Sequence, residues 1–182
     1  ETYDPWLDKT FAGRERTFDK ARAQGYRLAD NVLNAIENDA WQRIELPNIT
    51  LHARTFQFKL QNRVFMLGGI LGVFDRGFKG LRRIRSEVNL LTVGPAWFLT
   101  MPGEVNPELI NGGIEAPEGR DFDIAPVEVP PLREMMQGDI NFAIGLANDE
   151  VGYIMPKTHW DAEAPFTYGR ERAMYGEINS LG

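Results

Sequence analysis

The sequence contains no cysteine, no excess of basic charge and no long hydrophobic run. The lack of cysteine excludes disulfide bonds and thiolate ligands for zinc. The 20 basic and 26 acidic residues give a net charge of −6, whereas nucleic-acid-binding proteins carry a basic footprint. Nearly apolar stretches such as FMLGGILGVF fall far short of the roughly 20 residues that cross a bilayer. The sequence therefore predicts no nucleic-acid partner and no transmembrane segment.

Histidine is scarce, since the chain has only two. His52 falls on the polar side of a predicted strand, which is typical of a solvent-exposed residue, with a metal ligand or a residue that supports a metal ligand as the alternatives. His159 lies near the end of the stretch GLANDEVGYIMPKTHWD, and we expect an ordinary surface histidine there, with a contact near a functional site as the alternative. The chain begins at Glu1 without a methionine, which indicates a trimmed or excised segment.

The first regular pattern is that of an amphipathic helix. A chain of 182 residues with 43% hydrophobic and 25% charged residues suits a single globular domain. Apolar residues recur at steps of three and four over residues 17–37, which places them on one face of a helix that covers other parts of the fold. They are Phe18, Ala21, Gly25, Leu28, Ala29, Val32 and Ile36.

Residues 49–60 alternate as a strand does, but the apolar parity changes midway. A β-bulge near Arg54 and Thr55 would keep both apolar sets facing the core, so we predict one there. The sets are Ile49, Leu51 and Ala53 before the change, and Phe56, Phe58 and Leu60 after it.

Residues 62–87 mix apolar residues with glycines without a clean period, which predicts a short helix followed by a mobile basic loop. The arginines at positions 82, 83 and 85 in that loop are expected to form a solvated face, with an anion site as the alternative. Residues 87–93 and 96–101 are nearly continuous apolar runs, typical of strands covered on both faces. These features predict an α/β fold, a layered sandwich with a mixed, largely buried sheet that forms part of a domain.

The remaining pattern predicts a short helix, an irregular segment and a further strand. Asn106 suits an N-cap and Pro107 the first helical position, with the helix ending near residues 112–113. Residues 113–137 carry several prolines and acids and are predicted to be irregular. Residues 139–147 alternate as a strand does.

Polar residues follow two of these strands. Glu104 lies in the loop between a strand and the short helix, and Tyr153 follows the strand that ends near residue 147. Loops beyond the carboxyl ends of strands commonly bind ligands in layered α/β proteins. The pattern alone leaves open a solvent-exposed glutamate and a packing tyrosine. The polar stretch at residues 148–150, Asn-Asp-Glu, is predicted to form a turn.

Three sequence blocks, TMPGEVNPEL, GLANDEVGYIMPK and YGEINSLG, occur in the order seen in a known family. Together they resemble the later part of the catalytic domain of the neutral/alkaline (non-lysosomal) ceramidase family, especially its bacterial ceramidase-like branch. The resemblance covers most of the chain and only part of the family domain. It implies that residues 1–182 form the C-terminal portion of a single, incomplete catalytic domain. It also implies a secreted, periplasmic or cell-surface location.

The resemblance implies a zinc-dependent amidohydrolase that cleaves the N-acyl amide bond of ceramide-like lipids. Glu104 and Tyr153 match the family's zinc ligands, and Tyr175 matches the tyrosine that binds the scissile amide oxygen. The block MYGEINS departs from the Tyr-Glu-Gly order of better-known members. We expect the side chains of Glu104 and Tyr153 to converge in the fold.

The family's two zinc histidines belong to a preceding part of the domain. The remaining Zn²⁺ ligands are therefore expected outside this segment, in a missing N-terminal half of the domain or a partner chain, and the isolated segment is expected to be inactive. The alternative is a non-catalytic binding or structural module that keeps the fold without the chemistry. Sequence upstream of Glu1 that bears histidine loops would favour the enzyme.

Overall fold

The structure is a computed structural model, and it confirms the α/β class. It describes residues 2–5, 7–13, 16–38, 41, 43–73, 77–80, 82–112, 130–156 and 159–181. The chain divides into two compact units, residues 1–46 and residues 47–182.

The first unit contains a small hairpin and a long helix. Strands β1 (Thr2–Asp4) and β2 (Lys9–Phe11) pair antiparallel, and helix α1 spans Phe18–Glu37, which confirms the helix predicted over residues 17–37. Thr17 caps α1, because its side chain accepts a hydrogen bond from the Lys20 amide at 3.2 Å. The hydrophobic residues of α1 are largely exposed, however. They include Phe18 at 96%, Leu28 at 66%, Val32 at 53% and Ile36 at 54%.

The second unit is built on a mixed four-stranded sheet. Its strands are β3 (Ile49–Lys59), β4 (Arg83–Val93), β5 (Ala96–Thr100) and β7 (Ile140–Ile144), in the order β3-β4-β5-β7. The first two pairings are antiparallel, and β5 pairs with β7 in parallel. The strands predicted over residues 87–93, 96–101 and 139–147 are all present in this sheet.

The predicted bulge in β3 is wrong. Strand β3 pairs with β4 residue by residue, from Ile49 opposite Val93 to Lys59 opposite Arg83, including the segment at Arg54 and Thr55. Side chains therefore alternate strictly along β3. The two apolar sets have opposite parity and therefore lie on opposite faces of the sheet. Each face of β3 is thus apolar at a different end of the strand.

The predicted basic loop is wrong in part. Helix α2 (Arg63–Ile70) is the short helix that the pattern predicts. Arg83 and Arg85 belong to strand β4, since pairing with Lys59 and Gln57 extends the ladder to that end of β3. Both arginines are exposed, as expected of a solvated face. Residues 74–76 and 81 of the predicted loop lie outside the described residues.

Short elements complete the second unit. They are β6 (Glu104–Val105), α3 (Pro107–Asn111), α4 (Leu132–Met135), β8 (Tyr153–Ile154), a 3-10 turn at Thr167–Gly169 and α5 (Tyr175–Ile178). Of the predicted irregular segment, residues 113–129 lie outside the described residues, and the remainder contains α4. None of the helices described is long and apolar enough to cross a membrane.

The two faces of the four-stranded sheet differ. One face contributes Phe58 and Ile84 to a core that includes Leu60, Val151 and Leu181. The other face carries rows of apolar cross-strand partners that run from β3 to β7, including the stacked rings of Phe98 and Phe142, whose centroids are 4.8 Å apart. We call this second surface the apolar sheet face. It comprises Ile49, Leu51, Leu91, Val93, Phe98, Ile140, Phe142 and Ile144, and five of these are classed as exposed, with Leu51 at 63%.

Candidate functional site

Three short backbone segments, one from each of the three sequence blocks, lie side by side. Strands β6 and β8 pair in parallel with Glu104 opposite Tyr153, and Tyr153 also forms a bridge with Ser180. The Glu104 amide donates to the Gly152 carbonyl at 3.0 Å, and the Tyr153 amide donates to the Asn179 carbonyl at 3.0 Å. The backbone thus brings the three blocks to one place.

The side chains of Glu104, Tyr153 and Tyr175 converge there. Hydrogen bonding toward the Glu104 carboxylate, followed by partial burial, raises the pKa of Tyr153 above its ordinary value of 10.0. The Tyr175 ring meets the Tyr153 ring edge to face, with the centroids 5.9 Å apart. The expected proximity of Glu104 and Tyr153 is therefore observed. Their roles as metal ligands, and the role of Tyr175 toward an amide, stay predictions.

An apolar cavity of about 440 Å³ opens beside Tyr153. Its walls come from the sheet face opposite the apolar sheet face and from the segments that hold the site. The lining includes Phe56, Phe58, Val88, Leu99, Met101, Val151, Tyr153, Ile154, Met155 and Leu181. An apolar cavity bordered by a few convergent polar groups is the usual form of a small-molecule site.

Three glycines allow these segments to approach closely, because they have no side chain. The sequence analysis assigned them no role. Gly152 has φ +85°, and a Cβ there would overlap the Asn179 carbonyl oxygen. A Cβ at Gly103 would overlap the Gly152 carbonyl oxygen, and one at Gly145 would lie 2.8 Å from the Gly103 carbonyl oxygen. The signal in the sequence is position, because a glycine immediately precedes both Glu104 and Tyr153.

The segment before Tyr153 bends at Asn148 and has no regular secondary structure over residues 148–150. Asn148 adopts φ +74°, a conformation that Asn tolerates, and its amide donates to Thr100 Oγ1 at 2.8 Å. Asp149 accepts a hydrogen bond from Ser86 Oγ at 3.1 Å and another from the Glu150 amide at 3.0 Å. These bonds attach the segment that leads to Tyr153 to strands β4 and β5.

The two histidines lie in different surroundings. His52 is exposed on β3, as predicted. The prediction of a surface position for His159 is wrong, because the residue is 6% exposed and its ring lies 6.4 Å from that of Tyr168. Its neighbours Trp160 and Asp161 are buried as well, so the chain folds inward at this point. His159 Nε2 is buried and has no hydrogen-bond partner among the described residues.

Glu177 anchors helix α5, on which Tyr175 lies. Its carboxylate is 2% exposed, accepts from Thr167 Oγ1 at 2.8 Å and accepts from the Met174 amide at 2.8 Å. The Trp160 indole also donates to the Glu177 carbonyl at 3.2 Å. The glutamate within the block that departs from the family order therefore fixes the start of the helix that presents Tyr175.

The donor set fits zinc in part. A catalytic zinc needs about three protein ligands of nitrogen, oxygen or sulfur type, and Glu104 and Tyr153 offer two hard oxygen donors. Within the described ranges, no group of three or more histidine, aspartate or glutamate side chains is placed to hold a metal ion. A zinc ion at Glu104 and Tyr153 therefore requires further ligands from outside these residues.

No protein-family model, curated protein or solved structure matches the chain. The geometry at Glu104, Tyr153 and Tyr175 therefore carries the functional argument, together with the sequence resemblance.

Proposed function

We propose that Glu104, Tyr153 and Tyr175 form part of the active site of a zinc-dependent amidohydrolase. The intact enzyme would cleave the N-acyl amide bond of ceramide-like lipids to a fatty acid and a sphingoid-type amine. The observation that supports this proposal most directly is the convergence of the three side chains from three separate sequence blocks. The resemblance to the ceramidase family supplies the reaction class.

Glu104 and Tyr153 would supply two of the oxygen ligands to zinc. A phenol becomes a metal ligand when it loses its proton, and an adjacent dication favours that ionised form. The Tyr153 proton, which Glu104 accepts as a hydrogen bond in the metal-free pair, would leave when the ion binds. When bound, zinc polarises the amide carbonyl and lowers the pKa of a bound water toward about 7.

Tyr175 is suited to binding the amide oxygen. Its side chain is 73% exposed, and its ring packs against Tyr153, so the phenol is accessible beside the two metal-ligand candidates. A neutral phenol donates a hydrogen bond to the oxygen as negative charge develops there. Removal of one such donor typically lowers kcat about 100-fold to 1,000-fold.

The apolar cavity supports a lipid substrate. Tyr153 lines the cavity and also contacts Tyr175 and lies opposite Glu104, so an acyl chain in the cavity would lie next to the groups that act on the amide. Burial of each methylene contributes about 0.8 kcal/mol, and a long chain would therefore bind through this surface. A small polar amide would leave it empty.

A non-catalytic module is the second candidate, and one observation favours it. The interaction with Glu104 favours the neutral form of the Tyr153 phenol, whereas a zinc ligand is the ionised form. Combined with the apolar cavity, this preference is also consistent with a protein that binds an apolar ligand and does not transform it.

The experiment compares zinc content and hydrolysis of a fluorescent N-acyl sphingoid base in the natural gene product. Glu104→Gln and Tyr153→Phe are expected to lose zinc and to reduce hydrolysis to background. Tyr175→Phe is expected to keep zinc and to lose turnover about 100-fold or more. Matched controls are Glu171→Gln and Tyr168→Phe, which lie outside the site.

Zinc and turnover retained in both Glu104→Gln and Tyr153→Phe would contradict the proposed roles. A wild-type protein that takes up the lipid without zinc and without cleavage would establish the binding module instead.

A further inference from the structure

We infer that Asn62 is a positioning residue, which clamps residues 178–181 and thereby keeps Tyr153 and Tyr175 beside Glu104. No sequence block of the site contains Asn62. It lies between strand β3 and helix α2, in a different part of the chain from all three site residues.

Asn62 uses its whole amide group. The residue is 8% exposed, and its Nδ2 donates to the Ile178 carbonyl at 2.9 Å and to the Ser180 carbonyl at 2.7 Å. Its backbone amide donates to the Leu181 carbonyl at 3.1 Å. Its Oδ1 accepts from the Val64 amide at 2.9 Å and so caps helix α2.

The clamped carbonyls lie on either side, in sequence, of the carbonyl that holds Tyr153. The Asn179 carbonyl accepts the Tyr153 amide, and Ser180 forms the bridge with Tyr153. The Asn179 amide in turn donates to the Tyr175 carbonyl at 3.1 Å. Displacement of residues 178–180 would therefore move the backbone partners of both tyrosines. Because a buried carbonyl that loses its donor is costly, these bonds fix the segment more firmly than exposed bonds would.

Two substitutions separate the clamp from the helix cap. Asn62→Asp keeps an oxygen that caps α2, since carboxylates are favourable at helix N-termini, but it removes both side-chain donations to residues 178 and 180. Asn62→Ser also keeps a capping oxygen and loses the clamp, and it introduces no buried charge. If Asn62→Asp does not fold, Asn62→Ser carries the test.

The first measurement is hydrogen exchange of the peptide around Tyr153 in the natural gene product, followed by mass spectrometry. We expect the Tyr153 amide to exchange about tenfold faster or more in both variants, because one buried and one partly buried hydrogen bond are lost. The control is Thr92→Val, which removes the side-chain hydrogen bond of 2.5 Å between Thr50 of β3 and Thr92 of β4. This change should leave the exchange rate of the peptide around Tyr153 unaltered. Unchanged exchange at Tyr153 in folded Asn62→Asp or Asn62→Ser would overturn the inference.

The catalytic consequence rests on the proposed function, whereas the positional claim does not. In an active enzyme, the variants should lower kcat by a larger factor than they raise KM, because the cavity walls at Phe56 and Leu99 are untouched, whereas Tyr153 and Leu181 move with the segment. Accelerated exchange in the variants, together with a wild-type protein that lacks amidase activity, would refute the proposed function and leave the clamp standing. Amidase activity in the wild-type protein, together with unchanged exchange in the variants, would support the proposed function and refute the clamp.

Discussion

The Glu104 carboxylate, through hydrogen bonding, is the main cause of the raised pKa of Tyr153. Deprotonation of the phenol would place a second negative charge beside the Glu104 carboxylate and remove the donor of the bond, so the pKa of Tyr153 is raised. The stabilisation from this bond is fully present below the ordinary phenol pKa. It is lost as the pH rises through the raised pKa of the folded protein.

We therefore predict that Glu104→Gln lowers the pKa of Tyr153 toward its ordinary value of 10.0. The measurement is an ultraviolet alkaline titration of the metal-free protein, with the matching Tyr153→Phe variant subtracted to isolate one phenol. Glu171→Gln serves as the control and should leave the titration unchanged. A Tyr153 pKa that is the same with glutamate and glutamine at position 104 would show that the bond is absent in solution.

Gly152 is the second residue whose role is testable by itself. We predict that Gly152→Ala destabilises the protein by more than about 3 kcal/mol, because strain from a positive φ combines with overlap on a backbone carbonyl. Gly72→Ala is the matched control, since Gly72 has φ +71° with open space around its Cβ position. Its cost should be about 1 kcal/mol in chemical denaturation. Equal losses in the two variants would mean that close backbone approach is unimportant at Gly152.

At the scale of elements, the register between β3 and β4 is the feature that differs most from expectation. An unbroken ladder places Gln57 opposite Arg85, whereas a bulge at residues 54–55 would place it opposite Ser86. Directly opposite residues in antiparallel strands have Cβ atoms about 4.5 to 5.5 Å apart, close to the span of a disulfide.

The chain lacks cysteine, so a pair of introduced cysteines reports this register without interference. We predict that Gln57→Cys with Arg85→Cys forms an intramolecular disulfide under mild oxidation, as measured by mass and by thiol titration. Gln57→Cys with Ser86→Cys is the comparison and should remain largely reduced. A disulfide formed preferentially by the pair at positions 57 and 86 would show that β3 contains the bulge.

The elements also show what the sequence predicts and what it leaves open. The period of α1 and the apolar runs of β4 and β5 identify helix and strands, because local patterns repeat with the geometry of each element. The change of apolar parity in β3 fits two structures equally well. One is a bulged strand with a single apolar face, and the other is a regular strand with apolar residues on both faces. The burial of His159 depends on packing by distant residues, which no local pattern records. At the candidate site, the motifs predict the proximity of Glu104 and Tyr153, whereas the clamp at Asn62 requires the fold.

At the scale of the whole chain, each unit presents apolar surface. The apolar sheet face of the second unit and the exposed hydrophobic residues of α1 in the first unit are large for a soluble monomer. This exposure is consistent with the expectation that further structure packs against these residues.

We predict that the isolated 182-residue chain self-associates in sedimentation velocity. Leu51→Glu combined with Phe142→Glu should reduce this association, because two charges would enter the apolar sheet face. Gln24→Glu combined with Gln137→Glu adds the same charge at exposed positions outside the strands of the sheet and should have a smaller effect. A monodisperse monomer with a cooperative thermal transition would contradict the prediction and favour the self-contained module.

The clamp at Asn62 also bears on the order of events during synthesis. Asn62 is separated from its carbonyl partners by 116 and 118 residues, whereas β3, β4 and β5 are neighbours along the chain. Contacts between distant residues form after local ones, since closing a long loop costs more entropy. A nascent chain on the ribosome would therefore assemble the antiparallel part of the sheet first. The candidate site would be completed only after residues 178–181 had emerged from the exit tunnel.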